Sequence, residues 1–345
     1  MSVAASPVAF SVLSSQRGLN TGRTGDLVNE HVATAVREGL TMRPKRLPSW
    51  LFYDAVGSRL FDQITALPEY YLTRTERSIF TAHAAEIVKR AADGARLRIA
   101  ELGAGSAEKT RILLRAALDR QKCIIYEPVD VSASALDDAR QSIEREMPGV
   151  TVAPRVMDYT RGDGVRPLIG PAGANDRRLV LYIGSSIGNF EPSEALRLLE
   201  HVGAGLKKGD SFLLGVDQVK SENALLDAYD DAAGVTAAFN RNLLVRLNGE
   251  LDADFNLQAF AHLAKWNPAK SRIEMHLVSR VAQQVNLGAL DLTVDFTAGE
   301  SIHTENSYKY QPGQAEALLE EAGFAPVETW TDQRGWFAVC LGRVQ

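Results

Sequence analysis

Residues Ile99 to Arg111 read Ile-Ala-Glu-Leu-Gly-Ala-Gly-Ser-Ala-Glu-Lys-Thr-Arg and predict a strand, a glycine turn and a helix. The apolar positions in 97–102 are typical of a buried strand, and helical spacing begins at Lys109. Gly103 and Gly105 allow a sharp turn in which the backbone comes close to a ligand. Such a turn at the carboxyl end of a parallel strand predicts a nucleotide pocket.

Phosphate-binding motifs fit this turn poorly. A dinucleotide fingerprint needs a third glycine where the chain has Glu108, and residues 103–110 do not form a P-loop. Glu101 is also unfavourable beside a phosphate. A nucleoside without phosphates remains, and S-adenosylmethionine (SAM) is the common one, since its ribose needs carboxylate acceptors and its methionyl carboxylate needs donors such as Lys109. A glycine turn alone is weak evidence, so a dinucleotide-dependent dehydrogenase stays open as an alternative at this point.

The composition indicates an ordinary soluble protein with a small-molecule substrate. The chain has 345 residues, of which 45% are hydrophobic and 23% charged, enough for one large or two ordinary domains. A net charge of -5 and the absence of Lys/Arg runs longer than two residues argue against a nucleic-acid partner. No apolar stretch approaches the ~20 residues of a membrane span, so we expect no membrane partner.

Several further expectations concern the state of the chain. Cys123 and Cys340 are expected to be buried free thiols. Residues 1–26 are rich in Ser, Gly, Ala and Thr and lack a secretion signal, which predicts a flexible N-terminal tail on a cytoplasmic protein. No heptad repeat is present, so we expect a monomer, and no metal ion is expected.

The order of elements predicts an α/β fold, a Rossmann-like class I SAM-dependent methyltransferase sheet with an inserted α+β substrate-binding domain. Thr73 to Glu76 has the pattern of a capping box that begins a helix running to about Ala92, just before the glycine strand. Within the insertion we expect helices over 222–247 and 256–265 and long strands over 272–286 and 291–297. The predicted domains are the first part of the substrate-binding domain (27–74), the SAM-binding domain (75–219), the second part of the substrate-binding domain (220–308) and a C-terminal return to the SAM-binding domain (309–345).

Candidate site residues follow the predicted strands. Asp130 ends the second strand directly before a helix and is chosen over Glu127 as the ribose acceptor. After the third strand, Asp158 can accept from an adenine amino group while Tyr159 packs on the ring; the alternative is a surface turn. The loop that ends at Asn189 faces the ligand crevice of an open parallel sheet.

Four motifs resemble the ergothioneine-pathway L-histidine Nα-methyltransferases, and the likeness runs from about residue 27 to the end. They are Phe-Tyr-Asp-Ala-Val-Gly-Ser with Leu-Pro-Glu-Tyr-Tyr in 52–71, Glu-Leu-Gly-Ala-Gly-Ser-Ala-Glu-Lys-Thr-Arg at 101–111, Gly-Ser-Ser-Ile-Gly-Asn at 184–189, and Ala-Tyr-Asp-Asp-Ala-Ala-Gly-Val-Thr-Ala-Ala-Phe-Asn-Arg-Asn at 228–242. The resemblance implies three methyl transfers from SAM to the α-amino group of L-histidine, which give the betaine hercynine and S-adenosylhomocysteine.

The resemblance also implies the site residues. Its cofactor contacts fall on Tyr53, Gly103, Lys109, Asp130, Asp158 and Tyr159, the last in place of a Phe in the family. Its histidine contacts fall on Tyr70, Asn189, Tyr229, Thr236, Met275, Glu305 and Ser307.

These residue types suit the chemistry that the resemblance implies. Asn189 and Tyr229 would hold the substrate carboxylate, and Tyr70, Glu305 and Ser307 would clamp the imidazole. Strand alternation places residues 305 and 307 on one face, although the pattern alone favours an exposed edge strand.

For Met275 and Tyr53 the sequence pattern alone does not indicate a role in the site. Met275 alternates with Ile273 and Leu277, which by itself predicts a core residue. Tyr53 is the catalytic candidate, as a hydrogen-bond partner of the amine that guides proton loss.

Two alternatives stay open: an Nα-methyltransferase of another amino acid such as tryptophan, and a SAM-binding protein without catalysis. An indole would leave the anionic Glu305 unpaired, which argues against the first. A complete set of cofactor and acceptor residues argues against the second.

Overall fold

The computed structural model describes residues 29–157, 159, 173 and 175–345. The predicted tail over 1–26 and the candidate Asp158 lie outside the described residues. The helices are α1 Glu30–Thr41, α2 Ala55–Ala66, α3 Leu72–Ala92, α4 Thr110–Gln121, α5 Ala133–Glu146, α6 Pro192–Ala204, α7 Glu222–Asp227, α8 Val235–Glu250 and α9 Gln314–Glu321. The strands are β1 Arg96–Leu102, β2 Ile124–Asp130, β3 Val150–Val152, β4 Arg155–Val156, β5 Asp176–Tyr182, β6 Ser211–Asp217, β7 Phe260–Asn267, β8 Arg272–Ser279, β9 Gln283–Leu287, β10 Leu292–Phe296, β11 Ser301–Tyr308, β12 Phe324–Thr331 and β13 Phe337–Val344.

A central, mostly parallel sheet forms the core of the molecule. Its strand order is β12-β13-β6-β5-β1-β2-β3, with β4 also beside β2, and β13 runs antiparallel to β6. Both faces are covered, because Leu97 and Ile99 of β1 pack in one apolar cluster while Ala100 and Leu102 pack in another. The predicted α/β fold, with a mostly parallel sheet that ends in a hairpin, is therefore confirmed.

A second layer of structure lies over the carboxyl ends of the sheet strands. Its strands form an antiparallel sheet of order β11-β8-β7 and a separate hairpin, β9-β10. Helix α8 packs on α2, β7 and β8. A short 3-10 turn, Ser186–Asn189, follows β5 and packs against β11. This contact joins the second layer to the central sheet at the place where a ligand crevice is expected.

Three details of the predicted secondary structure are wrong. The helix expected over 256–265 is strand β7, because its inward side chains alternate from Phe260 through Ala264 and the strand pairs along its length with β8. The long strand expected over 272–286 divides into β8 and β9. The capping box is absent, since α3 begins without a side-chain cap and the Glu76 side chain is buried in the molecule instead.

The two cysteines differ in their surroundings. Both are free, as expected, and Cys340 is buried on β13. Cys123 is exposed because it precedes the first residue of β2, so its predicted burial is wrong.

No helix in the described part of the chain combines the length and the apolar character that a bilayer crossing requires.

Candidate active site

A pocket lies between the loop after β5 and the strands of the second layer. Its wall includes the seven residues predicted to contact the amino acid and also Tyr53. The seven are Tyr70, Asn189, Tyr229, Thr236, Met275, Glu305 and Ser307. Their sequence positions span more than 230 residues, so only the tertiary structure brings them together.

Strand pairing places the polar and apolar parts of one pocket wall. Glu305 and Ser307 are two residues apart on β11, and Met275 of β8 lies directly opposite Glu305 in the antiparallel register. Side chains opposite one another on the same face of a sheet are close neighbours. The pocket therefore presents a carboxyl group, a hydroxyl group and a thioether on adjoining parts of its wall.

Among the polar groups of the pocket, the Glu305 carboxylate and the hydroxyls of Tyr53 and Tyr70 have no hydrogen bond with any residue that the structure describes. Burial raises the pKa of Glu305 to about 7, against the opposing effect of the Lys309 ammonium. Burial, together with the nearby Glu305 carboxylate, also raises the pKa of Tyr53 well above its usual value. Tyr53 is therefore a neutral phenol at physiological pH and not a resident phenolate base.

Tyr229 and Ser307 belong to a hydrogen-bonded cluster behind the pocket. The two hydroxyl oxygens are 2.7 Å apart, and the Lys309 ammonium donates to Tyr229 at 2.9 Å and to Ser307 at 2.8 Å. Lys309 also forms an ion pair with Asp217, at 2.8 Å. Sequence reasoning missed this lysine, although alternation along β11 extends from Glu305 and Ser307 to residue 309.

The glycine turn has the geometry that a bound nucleoside requires. Gly103 and Gly105 have φ values of 68° and 49°, in the left-handed region that favours glycine. The Asp130 carboxylate accepts hydrogen bonds from the backbone N–H groups of Gly105 (3.1 Å) and Ser132 (3.0 Å). A carboxylate has about four acceptor positions, so Asp130 keeps capacity for ribose hydroxyls.

The alternative acceptor on the same strand is engaged elsewhere. Glu127 forms an ion pair with the buried Arg178 at 2.8 Å, so its carboxylate is taken up within the protein.

Tyr159 lies against the glycine turn, because a Cβ added to Gly103 would be 2.9 Å from the Tyr159 hydroxyl oxygen. Its ring also contacts Tyr182, with ring centroids 5.8 Å apart.

Glu101, which seemed unfavourable beside a phosphate, is directed into the protein. Its buried carboxylate accepts hydrogen bonds from Thr110 at 2.7 Å and from the hydroxyl of Tyr126. Burial raises the pKa of Glu101 to about 7, although these two hydrogen bonds oppose the shift. The residue ties the first residue of α4 to strands β1 and β2.

A buried carboxylate connects the glycine turn with the pocket. Glu76 of α3 accepts from the backbone N–H of Gly184 at 2.9 and 3.0 Å, and its carboxylate forms an ion pair with Lys109. Gly184 lines the pocket, and a Cβ added there would lie 3.3 Å from the Lys109 ammonium. Glu76 is thus a second residue that sequence reasoning missed, since its spacing from Thr73 favoured a capping role.

A family model described as "Histidine-specific methyltransferase, SAM-dependent" matches residues 32–344. The chain belongs to this family. The recognition drawn from its motifs is therefore confirmed, and a dinucleotide-dependent dehydrogenase is excluded. The protein is therefore a SAM-dependent methyltransferase, and the geometry of its glycine turn is compatible with SAM as co-substrate.

Curated relatives of this methyltransferase cover most of its length. It is 49% identical over 316 residues to a histidine N-alpha-methyltransferase of Mycolicibacterium smegmatis, covering 92% of this chain and 96% of the relative. It is 45% identical over 307 residues to the protein of the same name in Mycobacterium tuberculosis, covering 89% of this chain and 92% of the relative. It is 30% identical over 306 residues to ergothioneine biosynthesis protein 1 of Neurospora crassa, covering 84% of this chain and 32% of that protein.

Proposed function

We propose that this methyltransferase transfers three methyl groups from SAM to the α-amino group of L-histidine, giving hercynine for ergothioneine biosynthesis. The observation that carries the proposal is the unpartnered Glu305 carboxylate beside Ser307 in the pocket wall, opposite Met275. An imidazole can donate to a carboxylate, whereas a buried acceptor without a donor is costly. The names of the two mycobacterial relatives and of the Neurospora protein support the same acceptor and pathway.

The proposal divides the site between two regions of the chain. The SAM-binding region comprises 75–219 and 309–345, and the amino-acid-binding region comprises 27–74 and 220–308. Proposed SAM contacts are Tyr53, Gly103, Lys109, Asp130, Asp158 and Tyr159. Proposed histidine contacts are Tyr70, Asn189, Tyr229, Thr236, Met275, Glu305 and Ser307.

In this assignment the two ends of the amino acid meet different chemistry. Asn189 and Tyr229 donate to the carboxylate, while Glu305, Ser307 and Tyr70 surround the ring. Met275 fills the apolar space beside the ring. Holding both ends fixes the position of the amine between them.

Methyl transfer needs little covalent chemistry from the protein. Bound SAM supplies an electrophilic methyl group on a sulfonium cation, and a positive charge nearby lowers the pKa of an amine. Holding the amine in an attack geometry lowers such a barrier by about 7 to 11 kcal/mol. The neutral hydroxyl of Tyr53 hydrogen-bonds the amine in this proposal and guides its proton toward solvent.

The deciding experiment is mass spectrometry of the purified protein with SAM and an equimolar mixture of the twenty amino acids. Three added methyl groups on histidine alone are the expected result. Methylation of tryptophan or another amino acid instead would overturn the acceptor and the roles of Glu305 and Ser307. Absence of any methylated product would favour a SAM-binding protein without catalysis. A monomeric state, a cytoplasmic location and independence of metal ions stay predictions from the sequence.

A further inference from the structure

Lys309 holds an unusual position directly behind the amino-acid pocket. It follows β11, two residues after Ser307, and is only 2% exposed. An ammonium has three N–H donors. In the structure one reaches Asp217 Oδ2 at 2.8 Å, one Tyr229 at 2.9 Å and one Ser307 at 2.8 Å. Every donor of this buried cation is therefore used, and two of the three go to pocket hydroxyls.

This arrangement restricts where the two hydroxyl protons can point. Each hydroxyl already accepts a hydrogen bond from Lys309, and their oxygens are 2.7 Å apart, so one hydroxyl must donate to the other. The pair then has a single O–H left to offer to a ligand. Lys309 thus holds both oxygens in place and occupies one acceptor position on each, so that the pair presents one free donor to a ligand.

We propose that Lys309 is a positioning residue that holds the hydroxyl pair in place, and that in this pair Ser307 donates to Tyr229, Tyr229 donates to the substrate carboxylate and Ser307 accepts from a ring N–H. The inference rests on the proposed function. A carboxylate has no proton of its own to donate, so it needs the free O–H of the pair. The opposite order would leave Tyr229 without a proton for the carboxylate and would direct the Ser307 proton toward the ring side.

The charges around Asp217 support this role for Lys309. Asp217 is fully buried and accepts from Tyr71 at 2.7 Å and from a second cation, Lys220, at 2.5 Å. Two ammonium groups therefore share one carboxylate, which leaves excess positive charge beside the pocket. Lys309 contacts Tyr229 and Ser307, whereas Lys220 does not. The Lys220 ammonium donates instead to Tyr71, Asp217 and the backbone oxygen of Gln218.

Lys220 provides a matched control for a test by steady-state kinetics. Lys309→Met and Lys220→Met each remove one buried cation from Asp217, but only the first releases the pocket hydroxyls. We expect Lys309→Met to raise the KM for histidine by about tenfold or more with a smaller change in kcat, since a hydrogen bond to a charged group is lost. Lys220→Met should leave that KM within about threefold of wild type. Equal rises in both variants, or an unchanged KM in Lys309→Met, would overturn the proposal.

Two further measurements separate positioning from a folding defect. The dissociation constant of S-adenosylhomocysteine, measured by calorimetry, should be unchanged in Lys309→Met. Because Lys309 acts through two hydroxyls, adding Lys309→Met to a Tyr229→Phe/Ser307→Ala double variant should raise KM no further. If Lys309→Met raised the KM of the double variant by the same factor as it raises the KM of wild type, the inference would be contradicted.

Single variants test the direction of the hydroxyl pair without altering Lys309. Tyr229→Phe should raise KM for every amino-acid acceptor that shows turnover, whereas Ser307→Ala should raise it selectively for histidine. The opposite pattern would overturn the inference.

A failure of the proposed function gives a different result. If wild type prefers another amino acid, the acceptor assignment fails, while the comparison of Lys309 with Lys220 on that amino acid still decides the carboxylate role. If wild type methylates no amino acid, both proposals fall.

Discussion

Glu305 shows how much the surroundings of one carboxyl group decide. Glu305 lies in β11, a stretch rich in polar residues, and a polar strand of this kind is often an exposed edge. In the structure the carboxyl group instead lines the pocket, within the influence of Tyr53, Tyr70, Tyr229 and Lys309. Burial leaves it poised between its two protonation states near neutral pH.

The raised pKa of Glu305 predicts a pH dependence of histidine methylation. Because the pKa is about 7, the carboxyl group is ionised above that pH and protonated below it. If the anion accepts from the ring, kcat/KM for histidine should fall as the pH drops through about 7. The measurement is a pH profile of wild type beside Glu305→Gln, which retains any decline caused by protonation of the substrate amine. Superimposable profile shapes would remove Glu305 from ring recognition.

Tyr53 carries the catalytic prediction. Removing its hydroxyl in Tyr53→Phe keeps the ring that packs against Phe61 and Phe239. We expect a loss of about 10- to 100-fold in kcat, up to the low end of the range for an assisted proton transfer. Single-turnover kinetics for each of the three methylations would measure this, and full turnover in the variant would show that Tyr53 has no such role.

At the scale of elements, the 3-10 turn Ser186–Asn189 depends on close packing against β11. Gly188 has an ordinary backbone conformation, but a Cβ there would lie 2.9 Å from the backbone oxygen and 3.1 Å from the nitrogen of Tyr308. The backbone of a paired strand cannot move aside easily. Glycine is therefore required for the approach of this turn to the strand that carries Glu305 and Ser307.

Gly188→Ala should disturb this contact and move Asn189 in the pocket. We expect a loss of about 1 to 3 kcal/mol in the free energy of unfolding and a higher KM for histidine. Gly249→Ala on α8 is the matched control, since nothing lies within 4 Å of the added methyl group, and helix propensity should make it neutral or stabilising by up to ~1 kcal/mol. Chemical denaturation measures both, and similar stabilities for the two variants would argue against a packing role for Gly188.

At the scale of the whole molecule, Glu76 joins regions that bind different ligands in the proposal. Its buried carboxylate on α3 holds the backbone of Gly184 in the pocket wall and the side chain of Lys109 at the glycine turn. Removing one member of a buried pair leaves the other uncompensated. The carboxylate thus sets the relative position of the two ligand regions.

Glu76→Ala should therefore affect both stability and binding. We expect a loss of about 3 kcal/mol in the free energy of unfolding, together with weaker binding of S-adenosylhomocysteine. Glu86→Ala on the same helix removes an exposed ion pair with Arg90 and an acceptor for the Trp330 indole N–H, and should have a much smaller effect on stability. Thermal unfolding with and without S-adenosylhomocysteine compares the two variants, and equal effects would contradict a special role for Glu76.

The sequence by itself determined the central sheet and the glycine turn. Strands β5 and β6 are recognisable because each contains a continuous apolar run covered on both faces, and β1 because apolar residues recur along it directly before the glycine turn. Gly103 and Gly105 mark the turn because few other residues adopt its conformation. These signals are local, so no knowledge of distant partners is needed to read them.

Only the tertiary structure decided features whose partners lie far apart along the chain. Residues 260–267 form strand β7 and not the expected helix, because pairing with β8 outweighs their local preference for a helix. Glu76, Asp217 and Lys309 resemble surface residues in sequence, since charged side chains are rarely buried unless a partner compensates them. Those partners are 33 residues away for Glu76 and Lys109 and 92 for Asp217 and Lys309, so folding alone creates these buried pairs behind the pocket.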